Sequence, residues 1–347
     1  MSPMHRARCC SLASLASLAS LVAVISPGLA LTAGCGPSTP APDAAPISTI
    51  PTSPAGRFAI TSTFDVAVPA AADPVIDALT AATDGPDDPT RYLLDRMIQT
   101  LPEGTVKTIA SQAAPFVAAY LNGRLGEVAP GFVAGIDTMA GGLSRIAGRF
   151  STTETLVIDG DGAAIRTITG VRFDVTAAPV TVGFAEVGLA DITVGTHVAL
   201  DGAGRLAIGD HACSLPYGAV LRIGLDHAVI PVVEPTVRDL SSALGLLVDC
   251  SRLGMLVADR IGLGSSALYG TACRTAMTAV AGELYARLAA IDDTPLALEL
   301  TGTADGVDLD GDGTMDELRA GMWSGSLHSG SAREPIAAAR FAGTRSP

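Results

Sequence analysis

The residues best suited to binding chemistry form an aspartate-rich run near the end of the chain. Carboxylates alternate with other residues along Asp308-Leu309-Asp310-Gly311-Asp312-Gly313-Thr314-Met315-Asp316. Calcium prefers several oxygen ligands, and a short loop with carboxylates at alternate positions can wrap one ion. We therefore predict a calcium site formed by the residues Asp308, Asp310, Asp312, Thr314 and Asp316. The alternative is an acidic, solvated hairpin tip, in which four close carboxylates repel one another.

The residues around this run indicate which kind of calcium loop it is. Arg319 stands at the twelfth place, where an EF-hand loop has glutamate, and the flanking residues favour strands rather than helices. The run resembles the strand-flanked loops of FG-GAP-type calcium sites, which implies that Asp316 is the closing ligand. This resemblance covers nine residues, so it implies the site and not the propeller fold. Because no nucleophile or base lies nearby in sequence, we expect the ion to be structural.

Alternating apolar residues predict the strands that position the loop. Residues 296–300 and 318–327 have the period of two that is typical of strands, and they form the arms of a C-terminal hairpin. The same period recurs between about Thr152 and Val233, which predicts an antiparallel meander. The last strand of that meander is predicted over residues 221–229.

Helical spacing of apolar residues appears on both sides of the meander. Asp73-Pro74 places an N-cap residue before a proline at the first helical position, and helical spacing continues to Phe150. After Thr236 it returns on both sides of a turn at Gly262–Gly264. The sequence thus predicts an α+β domain: an antiparallel β-sheet meander with an N-terminal helical segment, a helical hairpin and a C-terminal β-hairpin.

Cys35 is the residue that indicates where the protein resides. It closes the run Leu31-Thr32-Ala33-Gly34-Cys35, behind an apolar stretch and a basic N-terminus. Residues 6–35 resemble a bacterial lipoprotein signal, which implies that Cys35 becomes the first mature residue and carries lipid. We expect residues 1–34 to be the signal peptide, 35–56 a proline-rich tether and 57–347 a single domain. The protein would then be anchored in the cell envelope by lipid.

Two alternatives to the lipoprotein signal stay open, a transmembrane anchor and an ordinary secretory cleavage. Pro27-Gly28 interrupts the apolar stretch, and the uninterrupted part is shorter than the roughly 20 residues that span a bilayer. By resemblance to lipoprotein sorting signals, Gly36 in place of a retention aspartate implies the outer membrane. The expected membrane contact is therefore through the lipid on Cys35.

The cysteines beyond Cys35 predict one disulfide. Cys213, Cys250 and Cys273 would reside in an oxidising compartment. Cys250 and Cys273 fall on the two arms of the predicted helical hairpin, about 18 Å and 12 Å from its turn at 1.5 Å per residue. We predict a Cys250–Cys273 disulfide and a free Cys213, with three buried free thiols as the alternative.

Charge and motif content exclude several classes of function. Without residues 1–34 the chain has 20 basic and 35 acidic residues, a formal charge of −15, and no basic run. This argues against binding nucleic acid or an anionic membrane surface by charge. The sequence also has no Gly-x-Ser-x-Gly elbow, which argues against an α/β-hydrolase.

The predicted function follows from these calcium, lipid and charge features. In layout the domain resembles uncharacterised acidic lipoproteins of GC-rich bacteria, a resemblance that implies no activity. We expect a non-enzymatic, calcium-stabilised envelope lipoprotein of structural or adhesive type, and the sequence indicates no particular protein partner. The alternative is a carrier of a hydrophobic small molecule such as lipid, and a secreted hydrolase ranks third. A large apolar cavity would favour the carrier, whereas a cleft with convergent polar groups would favour an enzyme.

Overall fold

The computed structural model of the protein describes residues 49–80, 89–175, 178–294, 296–329, 332–336 and 338–347. The predicted signal peptide, Cys35 and the tether up to residue 48 lie outside the described residues. All the described elements belong to one compact unit, Pro46–Pro347.

Most of the strands form one antiparallel sheet that closes on itself. The strands are β1 Gly56–Asp65, β2 Arg149–Ile158, β3 Ala163–Phe173, β4 Val180–Gly183, β5 Ile192–Leu200, β6 Arg205–Leu215, β7 Leu296–Val307, β8 Glu317–Ser329, β9 Ala332–Pro335 and β10 Ala338–Arg345. Their order is β10-β1-β2-β3-β5-β6-β7-β8, and β8 pairs back with β10. The result is an eight-stranded barrel, in which β4 and β9 pair antiparallel with the ends of β3 and β8. The expected antiparallel sheet is therefore present, and its closure into a barrel was not predicted.

Alternate side chains fill the barrel interior. On β1, Phe58, Ile60, Ser62 and Phe64 are buried, while the residues between them are half-buried or exposed. An eight-stranded barrel has an interior just wide enough to be filled by side chains. Strands with this alternation can therefore form a packed core inside the ring, as the buried side chains of β1 do.

Two long insertions in the barrel supply the helices. The first, between β1 and β2, contains α1 Asp73–Thr80, α2 Pro89–Gln99, α3 Thr105–Asn122, α4 Leu125–Val128 and α5 Phe132–Gly148. The second, between β6 and β7, contains α6 Tyr217–Gly224, α7 Ile230–Val233, α8 Leu240–Leu247, α9 Cys250–Ile261 and α10 Ser266–Ile291. Because β1 and β6 run in the same direction around the antiparallel ring, both insertions leave from one end of the barrel. There α10 packs on α1, α2 and α6, and the two insertions form one helical layer.

The predicted helical hairpin is formed by α9 and α10. Ser265 caps α10 by accepting a hydrogen bond from the Leu268 backbone N–H, as its position predicts. The two helices approach closely because Gly254 lies against Gly270: a Cβ on Gly254 would come within 2.7 Å of the Gly270 nitrogen. This approach brings Cys250 and Cys273 to disulfide distance, with their Cα atoms 5.5 Å apart. The pairing agrees with the prediction, and Cys213 is buried and free.

One predicted strand is wrong. Residues 221–229 form the end of α6 and a short π-helical turn, Leu225–Val229, instead of the last strand of the meander. The segment fits both periods, because Leu221, Ile223 and Leu225 alternate as in a strand, whereas Leu221, Leu225 and Val229 recur at helical spacing. A short apolar run of this kind does not distinguish a strand from a buried helix. The C-terminal hairpin is present as β7 and β8, whereas β9 and β10 were not predicted.

No single helix in the described part of the chain has the length and hydropathy to span a bilayer. Leu240–Leu247 and Cys250–Ile261 meet that criterion only as a pair, which is bent by 53°.

Candidate functional site

The aspartate run forms the connection between β7 and β8, at the end of the barrel opposite the helices. Oxygen atoms of Asp308, Asp310 and Asp316 all lie within 4.8 Å of one another, and Asp308 is buried. Three convergent carboxylates are the donor set that a hard cation such as calcium prefers. These three residues could therefore hold a metal ion, and calcium as that ion stays a prediction.

Backbone N–H groups hold the Asp308 carboxylate in the loop. Its Oδ1 accepts a hydrogen bond from Gly311 (2.7 Å), and its Oδ2 accepts one from Gly313 (2.9 Å). Both glycines have positive φ, 80° and 86°, a conformation that other residues rarely adopt. The Thr49 hydroxyl also donates to Asp308 Oδ2 (2.6 Å), and this bond is the main reason that the pKa of Asp308 lies below its usual value.

Two of the predicted ligands are arranged differently from the other three. Asp312 lies outside the convergent group, and its Oδ1 accepts hydrogen bonds from the Thr314 hydroxyl (2.5 Å) and backbone N–H (2.6 Å). These bonds lower the pKa of Asp312, so the carboxylate is held in its charged form. The structure thus brings Asp308, Asp310 and Asp316 together and pairs Asp312 with Thr314.

The segment before β1 lies directly on this loop. Thr49 forms an antiparallel bridge with Asp308, and the backbone N–H groups of Thr52 and Ser53 donate to the Gly313 carbonyl (2.9 and 3.1 Å). Residues 49–53, which lie in the described part of the predicted tether before β1, are therefore hydrogen-bonded to the barrel at the end away from the helices.

A cavity of about 400 Å³ lies within the helical layer. Residues from α1, α2, α5, α8 and α10 line it, and the lining is mostly apolar, including Leu79, Phe132, Ile136, Leu244, Met277 and Leu284. Ligand sites of about 300–1,000 Å³ typically combine such a lining with a few placed polar groups. The cavity falls within this range, at its small end.

Polar groups at the cavity are concentrated on α2 and α10. Glu283 forms ion pairs with Arg287 (2.6 Å) and Arg96 (3.1 Å). Arg287 also donates a hydrogen bond to the Pro74 carbonyl oxygen (3.1 Å). The hydrogen bond from Arg287, with a further contribution from Arg96, lowers the pKa of Glu283. We call Arg96, Glu283 and Arg287 the rim triplet.

The barrel contains a buried ion pair that the sequence reasoning missed. Arg166 on β3 and Glu154 on β2 are both fully buried, and two hydrogen bonds of 2.7 Å join them. The guanidinium also lies 4.7 Å from the Trp323 ring. Burial alone lowers the pKa of Arg166, but the Glu154 carboxylate outweighs this and raises it, so the arginine stays charged. The sequence could have indicated the burial of Glu154, because this residue lies two positions from Leu156 and therefore on the same, buried face of the strand.

His211 connects this ion pair to the barrel wall. Its Nε2 accepts from Arg166 Nη1 (3.0 Å), and its Nδ1 lies 2.9 Å from the Gly209 carbonyl oxygen. A guanidinium only donates and a carbonyl only accepts, so the ring is neutral with its proton on Nδ1. Burial and the nearby Arg166 charge accordingly lower the pKa of His211.

A polar cleft of about 530 Å³ lies outside this wall and includes His211, Glu299 and Arg333. Nearby, Ser326 Oγ is 3.0 Å from His328 Nε2, but Glu299 contacts the same ring nitrogen (3.0 Å). In a catalytic triad the carboxylate contacts the other nitrogen. Arg333 also donates to Ser326 Oγ (2.9 Å), so this arrangement does not activate the serine.

The free thiol of Cys213 is not an activated nucleophile either. Cys213 is buried beside Arg166, and burial raises its pKa. A thiol with a raised pKa is inert, since the thiolate is the reactive form.

The chain matches no known family model, no curated protein and no solved structure.

Proposed function

We propose that this protein is a calcium-stabilised, lipid-anchored envelope protein that binds an apolar small molecule in its helical layer. The observation that carries the proposal is the mostly apolar cavity of about 400 Å³. A structural or adhesive protein does not need an apolar pocket of this kind, because apolar side chains that stay in contact with water are unfavourable. The geometry therefore favours the carrier expectation over the structural one.

The polar sites favour an enzyme less. His211 is held neutral between Arg166 and Gly209, and Ser326 accepts a hydrogen bond from Arg333. Neither site pairs a nucleophile with an available base, as nucleophilic catalysis requires. We therefore rank ligand binding above hydrolysis.

The layout of the domain is compatible with an anchored carrier. Residues 49–53 contact the β7–β8 loop, and the cavity lies in the helical layer at the other end of the barrel. The chain that would carry a lipid on Cys35 therefore enters the domain at its loop end, and the cavity lies at the other end of the barrel.

Narrowing the cavity should weaken ligand binding. Ala78 lines the cavity and is half-buried, so Ala78→Phe places a ring where the ligand would lie. We expect affinity for the apolar fluorescent probe 1-N-phenylnaphthylamine to fall at least tenfold, about 1.4 kcal/mol. The exposed helical residue Ala119 offers a matched control, Ala119→Phe, which should bind as the wild type does. Absence of probe binding by the wild type, or equal binding by Ala78→Phe, would contradict the proposed function.

Calcium should stabilise the fold through the convergent aspartates. If calcium binds only the folded state, with Kd near 0.1–1 mM, millimolar calcium adds on the order of 1 kcal/mol. The melting temperature, followed by circular dichroism, should rise with calcium and fall with chelator. Asp310→Ala should remove this dependence, whereas Asp161→Ala in the β2–β3 turn should retain it. A wild-type melting curve indifferent to both additions would show that the loop is a solvated turn.

A further inference from the structure

The rim triplet allows an inference about the ligand's headgroup, which rests on the proposed function. Arg96 is on α2 and Arg287 on α10, so two helices that wall the cavity each direct a guanidinium to one carboxylate, Glu283. The side chains of Arg96 and Arg287 are 33% and 42% exposed. The triplet therefore lies where the cavity meets solvent, with apolar residues behind it.

The two arginines of the triplet have more hydrogen-bond donors than the Glu283 carboxylate can accept. A guanidinium has five N–H donors, and a carboxylate accepts from about four directions. Glu283 receives Arg287 Nη2 on Oε1 and Arg96 Nη1 on Oε2, and Arg287 Nη1 donates to Pro74. Within the described residues, these contacts engage only part of the donors on the two arginines. A second acceptor can therefore bind beside Glu283.

Charge within the rim triplet favours an anion over a cation, although Asp77 makes the four charged residues of the lining formally neutral. Two arginines share Glu283, which leaves the triplet with one net positive charge. Asp77 is the other carboxylate of the lining, is exposed, and makes no ion pair in the described part of the chain. An ammonium headgroup at the triplet would meet both guanidinium groups, whereas a carboxylate would form charge-assisted hydrogen bonds with them.

We propose that the ligand is a single-chain amphiphile with a carboxylate headgroup. The carboxylate binds Arg96 and Arg287 at the rim, because arginine presents donors in a fork that matches a carboxylate. The chain occupies the apolar cavity behind it. A volume of about 400 Å³ is at the small end of ligand sites, which favours one chain over two.

Three ligands of equal chain length test the headgroup. Hexadecanoate, hexadecanol and hexadecylamine are each titrated, below their aggregation limits, against the probe bound to the full-length protein. We expect hexadecanoate to displace the probe at about tenfold lower concentration than the alcohol, and the amine to be the weakest. The preference should shrink as salt increases, since exposed ion pairs are screened.

Variants of the rim triplet test whether its residues bind the carboxylate headgroup. Arg96→Gln combined with Arg287→Gln should reduce hexadecanoate affinity to that of hexadecanol or below it, because Glu283 then repels the acid, while leaving hexadecanol unchanged. Glu283→Gln should strengthen hexadecanoate binding, because it removes the competing carboxylate. Arg274→Gln, on the exposed side of α10, is the control and should change neither ligand.

The possible outcomes separate this inference from the proposed function. Equal binding of acid and alcohol, with both lost in Ala78→Phe, would overturn the headgroup and leave the carrier function standing. An acid preference that survives in the double arginine variant would overturn the role of the triplet. Binding of none of the ligands to the wild type would overturn both proposals.

Discussion

Glu154→Gln is expected to lower the free energy of unfolding by about 3–5 kcal/mol. The substitution keeps the shape of the side chain but leaves Arg166 as a fully buried charge without its counter-ion. The free energy of unfolding of a native protein is only about 5–15 kcal/mol, so this loss is a large fraction of the stability. Urea unfolding followed by circular dichroism measures it directly.

Two further variants give this prediction its controls. Glu103→Gln breaks the Lys107–Glu103 pair, in which the glutamate is 88% exposed, and should change stability by less than about 0.5 kcal/mol. The double variant Glu154→Leu with Arg166→Met removes both buried charges. Its loss in free energy of unfolding should be much smaller than the sum of the losses in the two single variants. A Glu154→Gln variant as stable as the wild type would show that the buried pair contributes nothing to the fold.

Loss of the Cys250–Cys273 disulfide is the other large expected effect. The bond closes a loop with a sequence separation of 23 residues. On the chain-entropy account, a loop of this length stabilises the folded state by about 3 kcal/mol. Cys250→Ala with Cys273→Ala should therefore lower the free energy of unfolding by roughly that amount in the same urea measurement.

Reductant supplies the matched comparison for the disulfide. It should destabilise the wild type about as much as the double substitution does, and should leave the double variant unchanged. Peptide mapping without reduction should recover the linked segments of α9 and α10. Recovery of Cys213 linked to either partner would contradict the pairing.

The disulfide illustrates what local pattern predicts well. Helical spacing around Gly262 placed Cys250 and Cys273 on adjacent arms, and a helical hairpin brings such positions together whatever surrounds it. The Ser265 cap is local in the same way, since it depends on a few neighbouring residues. The β7–β8 loop likewise owes its shape to Asp308, Gly311 and Gly313, which are close in sequence.

The errors and omissions involve contacts between distant parts of the chain. The spacing of residues 221–229 fits both a strand and a helix, and packing of this segment against α5 and α10 decides for the helix. The pairing of β8 with β10 closes the barrel, and nothing in either strand alone specifies it. The missed β9 has only four residues, and the missed β10 pairs with β8 and with β1, which is distant in sequence.

By itself the sequence determined the alternation of strands, the helical hairpin, the disulfide pairing and the run of aspartates, because each follows from residues a few positions apart. Only the tertiary structure decided where chemistry concentrates. It buried Glu154 against Arg166 across two strands, and it brought Arg96 and Glu283 together from helices almost 190 positions apart. The Glu154–Arg166 contact depends on the pairing and burial of two barrel strands, whereas the Arg96–Glu283 contact depends on how the two insertions pack at one end of the barrel. The cavity between them exists only in the assembled helical layer, since no single helix encloses it.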